Sequence, residues 1–185
     1  MKRILIILLT MMFSSLSSMG QRLAADHKKD RQEQYSLISC PDSNHPHMID
    51  LGLPSGTLWQ CCNEGASKPE DNGCYYRFGQ VPTAPSQDQI EELLNNSVYI
   101  WTTFHGVTGG LFTGKNGNSI FLPAVGSIIY GVLNYVGAEG IYWSSTTYNT
   151  KNAYELDFNL YFARWDNRKG GLNPRDRWLS VRPVR

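Results

Sequence analysis

The chain has 185 residues, a formal charge of +1 and four cysteines. That length allows one well-buried core and argues against a second. The charge argues against nucleic acid as a partner, which calls for a basic face.

Residues 1–20, "MKRILIILLTMMFSSLSSMG", have the three parts of a secretory signal peptide. Lys2 and Arg3 precede an apolar run from Ile4 to about Phe13, and Ser18 and Gly20 occupy the −3 and −1 positions of a cut before Gln21. The run falls short of the roughly 20 residues that span a bilayer. The expectation is a protein exported to the periplasm, cell surface or medium, with no membrane span after cleavage; a retained anchor is the competing reading. Without Lys2 and Arg3 the balance is 15 basic to 16 acidic side chains. Export also makes Cys40, Cys61, Cys62 and Cys74 candidates for disulfides, with three possible connectivities. Zinc competes for them, but a CC…C pattern without a second CxxC or a histidine pair nearby lacks ligand spacing.

Residues 21–47 are polar, highly charged in their first half and broken by Pro41 and Pro46. Such a segment buries too little apolar surface to offset its ordering entropy, so it reads as a flexible leader to a domain spanning 48–185. Within it, His45-Pro46-His47 is an HxH pair with no third ligand in view, which reads as a solvated loop. No metal or other cofactor is expected.

From Met48 onward, short apolar runs alternate with glycine, proline and asparagine, a pattern of many short strands and structured loops. "TLWQCC" and "CYYRFG" read as strands, with a weak helix possible in "SKPEDNG" between them. The convincing helix is Ser86–Asn96, where Ser86 and Gln89 make a capping box and Ile90, Leu93 and Leu94 share a face. "VYIWTT", "SIFLPAVG", "GIYWSSTTY", "NAYELDFNLYF" and "WLSVRPV" read as further strands. "HGVTGG", "TGKNGN" and "DNRKGGLNPRDR" read as loops. Strict alternation over Tyr154–Phe162 puts Tyr154, Leu156, Phe158, Leu160 and Phe162 on one face and Glu155, Asp157 and Asn159 on a wet one, unless a hairpin interrupts it at Asn159-Leu160. The sum is an α+β domain with little helix, several short antiparallel strands and much ordered loop.

Enzymatic motifs are thin. "GGLFTGKN" approaches a phosphate-binding loop, but Asn116 stands where the magnesium-binding hydroxyl is needed and a β-like segment follows. Ser144, Ser145 and Ser180 have no nucleophile elbow around them, and His105 is the one histidine beyond the leader. Adjacent Glu91 and Glu92 diverge on the helix. The expectation is a protein that is not an enzyme. The binding-like surface is the basic, aromatic tail, which offers Arg164, Trp165, Asp166, Asn167, Arg168, Arg175 and Arg177 as ligand contacts. Trp and Arg are enriched in interface hot spots, and aromatic faces beside Asn, Asp and Arg also suit sugars. Trp165 reads equally as a contact or a core residue, Trp178 as core.

"LGLPSGTLW", "NGNSIFLPA", "YWSS" and "SVRPV", in that order between Ile49 and Val184, resemble the Fibrobacter succinogenes major paralogous domain and related domains of secreted bacterial proteins. The resemblance implies a C-type-lectin-like fold: a small twisted antiparallel sheet, one or two helices, long loops, and terminal strands lying together. It also implies a recognition module for an unknown glycan or surface protein, or alternatively a structural or tip subunit of a bacterial surface assembly. Relatives of that fold that mature sulfatases need a C-terminal cysteine, and none follows Cys74. Calcium-dependent sugar binding is poorly supported, since only "WDN" at Trp165–Asn167 approaches the required motif. Against the family pattern Cys62 holds the usual cysteine position, that of a small buried hydrophobe, while Cys61 and Cys74 are additions. A Cys61–Cys74 disulfide is therefore expected, with Cys40 either free or paired to Cys62.

Overall fold

The computed structural model describes Met19, Arg22, residues 44–166 and residues 177–185. The expected signal peptide (apart from Met19), most of the leader, Cys40, and Asn167, Arg168 and Arg175 lie outside the described residues. The chain divides into two units, Met1–Leu37 and Ile38–Arg185, and the second carries the fold.

Eleven short strands and one helix make up the described part of that unit, in the order β1 (Met48–Asp50), β2 (Leu58–Gln60), α1 (Gln87–Asn96), β3 (Ser97–Phe104), β4 (Val107–Gly114), β5 (Ser119–Pro123), β6 (Ser127–Ile129), β7 (Val132–Asn134), β8 (Gly140–Thr147), β9 (Ala153–Phe158), β10 (Ala163–Asp166) and β11 (Arg177–Trp178). They form four small antiparallel sheets: β1-β2, β3-β4-β5, β8-β9-β10 and β11-β6-β7. The domain is thus mostly sheet with one helix. Its last residues return to β2: Leu58 and Arg185 exchange backbone hydrogen bonds of 2.9 and 3.0 Å, and Trp59 bridges to Val184.

The helix forms where the sequence places it. Ser86 Oγ accepts from the Gln89 N–H and Gln89 Oε1 accepts from the Ser86 N–H, so two otherwise unpaired donors are satisfied reciprocally. At the other end Asn96 and Ser97 donate side-chain hydrogen bonds to the carbonyls of Glu92 and Leu93. The possible helix in "SKPEDNG" does not form; that segment is turn and coil. "CYYRFG" makes a single bridge, Tyr76 to Leu179, instead of a strand.

The largest departure from expectation is β4. Its "VTGG" start has loop-like composition, yet it is the central strand of β3-β4-β5. Its glycines serve close packing rather than a turn. A Cβ on Gly109 would overlap the Leu122 carbonyl, and one on Gly110 would sit 2.8 Å from the Tyr99 ring and 3.0 Å from Phe158. The "GGLFTGKN" stretch is accordingly a strand running into the turn before β5, with no helix after it.

The space above Gly110 is filled by Phe158, the hub of the main core. Its ring centroid lies 5.6 Å from Phe112, 5.9 Å from Tyr142, 6.1 Å from Tyr99 and 6.3 Å from Trp101. Leu51, Trp59, Ile90, Leu93 and Leu122 complete this core beneath α1. A second core lies on the opposite face of β8 and β9, around Trp143, Leu179 and Val181. Because Phe158 is fully buried and contacts β3, β4 and β8 at once, Phe158→Ala is expected to lower unfolding free energy by about 3–5 kcal/mol. A urea melt with a shift well below that range would show that the core collapses around the gap.

Candidate functional site

The site expected from the tail is built on β9. The alternation holds: Tyr142 and Leu156, then Gly140 and Phe158, face one core, while Trp143 and Glu155 face the other. The face expected to be wet is not. Glu155 and Asp157 are each 1% exposed, because the second core covers that side. The strand also breaks into the hairpin that was the alternative, turning at 159–162 with Asn159 Oδ1 accepting from the Tyr161 N–H at 2.9 Å.

Each buried carboxylate on β9 takes an arginine. Arg164 lies opposite Asp157 in the β9-β10 register and reaches its Oδ2 at 3.3 Å, stacking 4.1 Å above the Phe162 ring with its side chain half exposed. Arg177 donates to Glu155 Oε2 at 2.7 Å with both side chains almost wholly buried, and its guanidinium lies 5.8 Å from the Trp143 ring. Arg177 is therefore a structural cation, not the ligand contact expected from the tail. The sequence reading missed this because burying an arginine requires a buried acid, and Glu155 looked solvent-facing.

Trp165 does face solvent. It is 38% exposed and stands edge-on to Tyr154 at 5.5 Å, which in turn stands edge-on to Tyr148 at 5.5 Å. Trp165 is opposite Leu156, so Tyr154 is its diagonal neighbour on the same face, within reach of a large side chain. At the β9-β10 turn, the far end of β9 from Tyr154, Leu160 and Tyr161 are exposed, Tyr161 at 87%. Asp166 closes β10. Trp178, read as core, instead lies partly exposed at the surface, with the Arg77 guanidinium 5.1 Å from its ring centroid. A second exposed apolar group, which sequence reasoning overlooked, caps the β6-β7 hairpin: Tyr130, Val132, Leu133, Tyr135 and Val136.

The cysteines are arranged differently from expectation. Cys61 and Cys74 are both free thiols, the first buried and the second exposed, so the Cys61–Cys74 bridge is not formed. Physically, the β1-β2 ladder turns Cys61 toward the residues preceding β1. The Cys61 N–H donates to the His47 carbonyl at 2.9 Å, and the His47 N–H donates to Cys61 Sγ at 3.3 Å. His45 Nδ1 lies 3.3 Å and His47 Nδ1 3.7 Å from the same sulfur, and Cys62 Sγ is 3.3 Å away. Cys74 instead lies against Gly65, where a Cβ would be 2.7 Å from its sulfur. The hydrogen bond from Cys62 holds the Cys61 thiol well below its ordinary range, against the opposing effect of burial and with help from the His47 N–H and the His45 ring. His45 and His47 are thus half-buried beside Cys61 rather than part of a solvated loop. Cys62 is fully buried, as a core cysteine should be.

Residues weighed for catalysis are spread apart. Ser144 and Ser145 line a cleft of about 210 Å³ whose one charged lining residue is Arg77, with no acid or histidine. His105 sits in the β3-β4 turn, 3.0 Å from Glu70 Oε1. Glu92 accepts from the Ser55 N–H and hydroxyl at 2.7 and 2.6 Å, while Glu91 accepts from Gln87 on another side of the helix. No helix among the described residues is long and apolar enough to cross a membrane.

No protein-family model, curated protein or solved structure matches this chain.

Removing Glu155 takes away the carboxylate to which the buried Arg177 guanidinium donates. Glu155→Ala is expected to destabilise the domain by about 3–5 kcal/mol, whereas replacing both residues with apolar ones of similar volume is expected to cost much less. Chemical denaturation of the single and double variants checks this, and equal losses would deny the pair its coupling.

Proposed function

We propose that this chain is an exported, non-enzymatic recognition module of C-type-lectin-like architecture that binds a glycan through β10 and the residues following it. The observation that carries the reading is the Tyr148–Tyr154–Trp165 row, in which exposed Tyr148 and Trp165 flank a half-buried Tyr154. Aromatic faces of this kind stack on the C–H faces of sugars, and Trp, Tyr and Arg are the residues that dominate interface energies. The signal-like first twenty residues support export. The motif string that resembles the Fibrobacter succinogenes major paralogous domain, the one helix among the described residues of the domain and the pairing of β2 with the last residues support the architecture.

A structural or tip subunit of a surface assembly is the second reading, and the apolar β6-β7 hairpin favours it. β7 is an edge strand, so its free side and the five apolar side chains around it suit contact with another subunit. Arrays of purified glycans and surface proteins test the first reading. Binding that Trp165→Ala weakens at least about tenfold, with folding intact, is the expected result. Silence on the arrays, or wild-type binding by the Trp165→Ala and Arg164→Ala proteins, counts against it. Co-purification in a larger complex from the native envelope would favour the second reading.

A further inference from the structure

We propose that His45, His47 and Cys61 form a transition-metal site that takes zinc and ties the segment before β1 to β2. The placement follows from the strand ladder. In β1-β2, Met48 pairs with Gln60, so His47 and Cys61 are the next pair outward, and they keep the ladder's hydrogen bond. His45, two residues earlier, comes to the same side: the two imidazoles stack with centroids 5.4 Å apart and planes 19° from parallel.

Three donor atoms converge as a result. One ring nitrogen from each histidine and Cys61 Sγ all lie within 4.8 Å of one another, and the Nδ1 atoms of His45 and His47 are 3.3 and 3.7 Å from the sulfur. A tetrahedral zinc with bonds of about 2.3 Å to sulfur and 2.0–2.1 Å to nitrogen places its donors roughly 3.3–3.8 Å apart. The two nitrogen-to-sulfur separations fall in that range without movement of the backbone. The donor set is also selective: thiolate with imidazole suits zinc or copper and not calcium or magnesium, which take oxygen ligands. The His47 N–H also donates to Cys61 Sγ at 3.3 Å and so orients the sulfur. On binding, His47 Nδ1 gives up its long 3.4 Å contact with the Asn44 carbonyl. Half-exposure of both histidines leaves an entry path and a solvent-side fourth position.

The test uses the full chain, reduced and stripped of metal, titrated with zinc by calorimetry and with cobalt by absorbance. The expected result is one tight zinc equivalent, a thiolate-to-cobalt charge-transfer band and a rise in melting temperature on zinc addition. Cys61→Ser should abolish the band. His45→Ala and His47→Ala should each weaken zinc binding by about 100-fold or more, beyond the roughly 10–100-fold that follows from disturbing a ligand's hydrogen-bond partner. Cys74→Ser should bind as the wild type does. His45 lies outside every strand, so its variant remains informative if Cys61→Ser fails to fold. Failure of the wild type to bind zinc, or wild-type affinity in the His45→Ala and His47→Ala proteins, would overturn the proposal.

Discussion

The fold depends on one buried cation. Arg182, fully enclosed near the end of the chain, donates to the Gln60 carbonyl at 3.0 Å and the Phe121 carbonyl at 2.8 Å. It thereby joins the last residues to β2 and β5 through backbone groups. Its surroundings are polar in a matching way: the Tyr142 hydroxyl donates to the Pro123 carbonyl at 2.7 Å and accepts from Asn63 at 3.2 Å. Burial lowers the affinity of Arg182 for its proton and raises that of the Tyr142 phenol, and each partly offsets the other. A charge enclosed in this way costs several kcal/mol in desolvation unless every neighbour is placed to receive it. Small sheets with little shared ladder thus gain a fixed mutual arrangement from hydrogen bonds that cross between them.

The same need for cross-sheet contact explains which elements were legible in the sequence. Helix α1 declared itself through its capping box and apolar spacing, both local. Strands β3, β5 and β8 declared themselves through β-branched and aromatic runs. Strand β4 did not, because Gly109 and Gly110 record the approach of Leu122, Tyr99 and Phe158, which are distant in sequence. Strands β6 and β7 went unread because they are three residues each, too short for a period to show. "TLWQCC" was legible as a strand but ended early: β2 stops at Gln60, and Cys61 and Cys62 bend away from it.

The site was legible only in part, for a related reason. Strand β9 displayed its alternation plainly, and Trp165 and Arg164 reach the surface on β10. What alternation cannot report is whether the second face is covered, and here Trp143, Leu179 and Val181 cover it. Glu155 and Asp157 consequently changed from solvated acids into anchors for arginines. The histidine–cysteine cluster was present in the sequence as two fragments, "HPH" and "CC". The signal that unites them is the β1-β2 pairing, which is fixed by tertiary contact and not by composition.

The two anchors on β9 bear on how such a surface works. Arg164 on Asp157 precedes residues 165–176, and Arg177 on Glu155 follows them, with both carboxylates on one face of one strand. The buried Arg177 pair fixes β11 to β9, while the half-exposed Arg164 pair, weaker through solvent screening, adds to the β9-β10 ladder. Strands β10 and β11 are therefore both tied by charge to a strand that is itself packed between two cores. For the recognition role proposed above, this anchoring puts Arg164 and Trp165 on a rigid element rather than on a free loop.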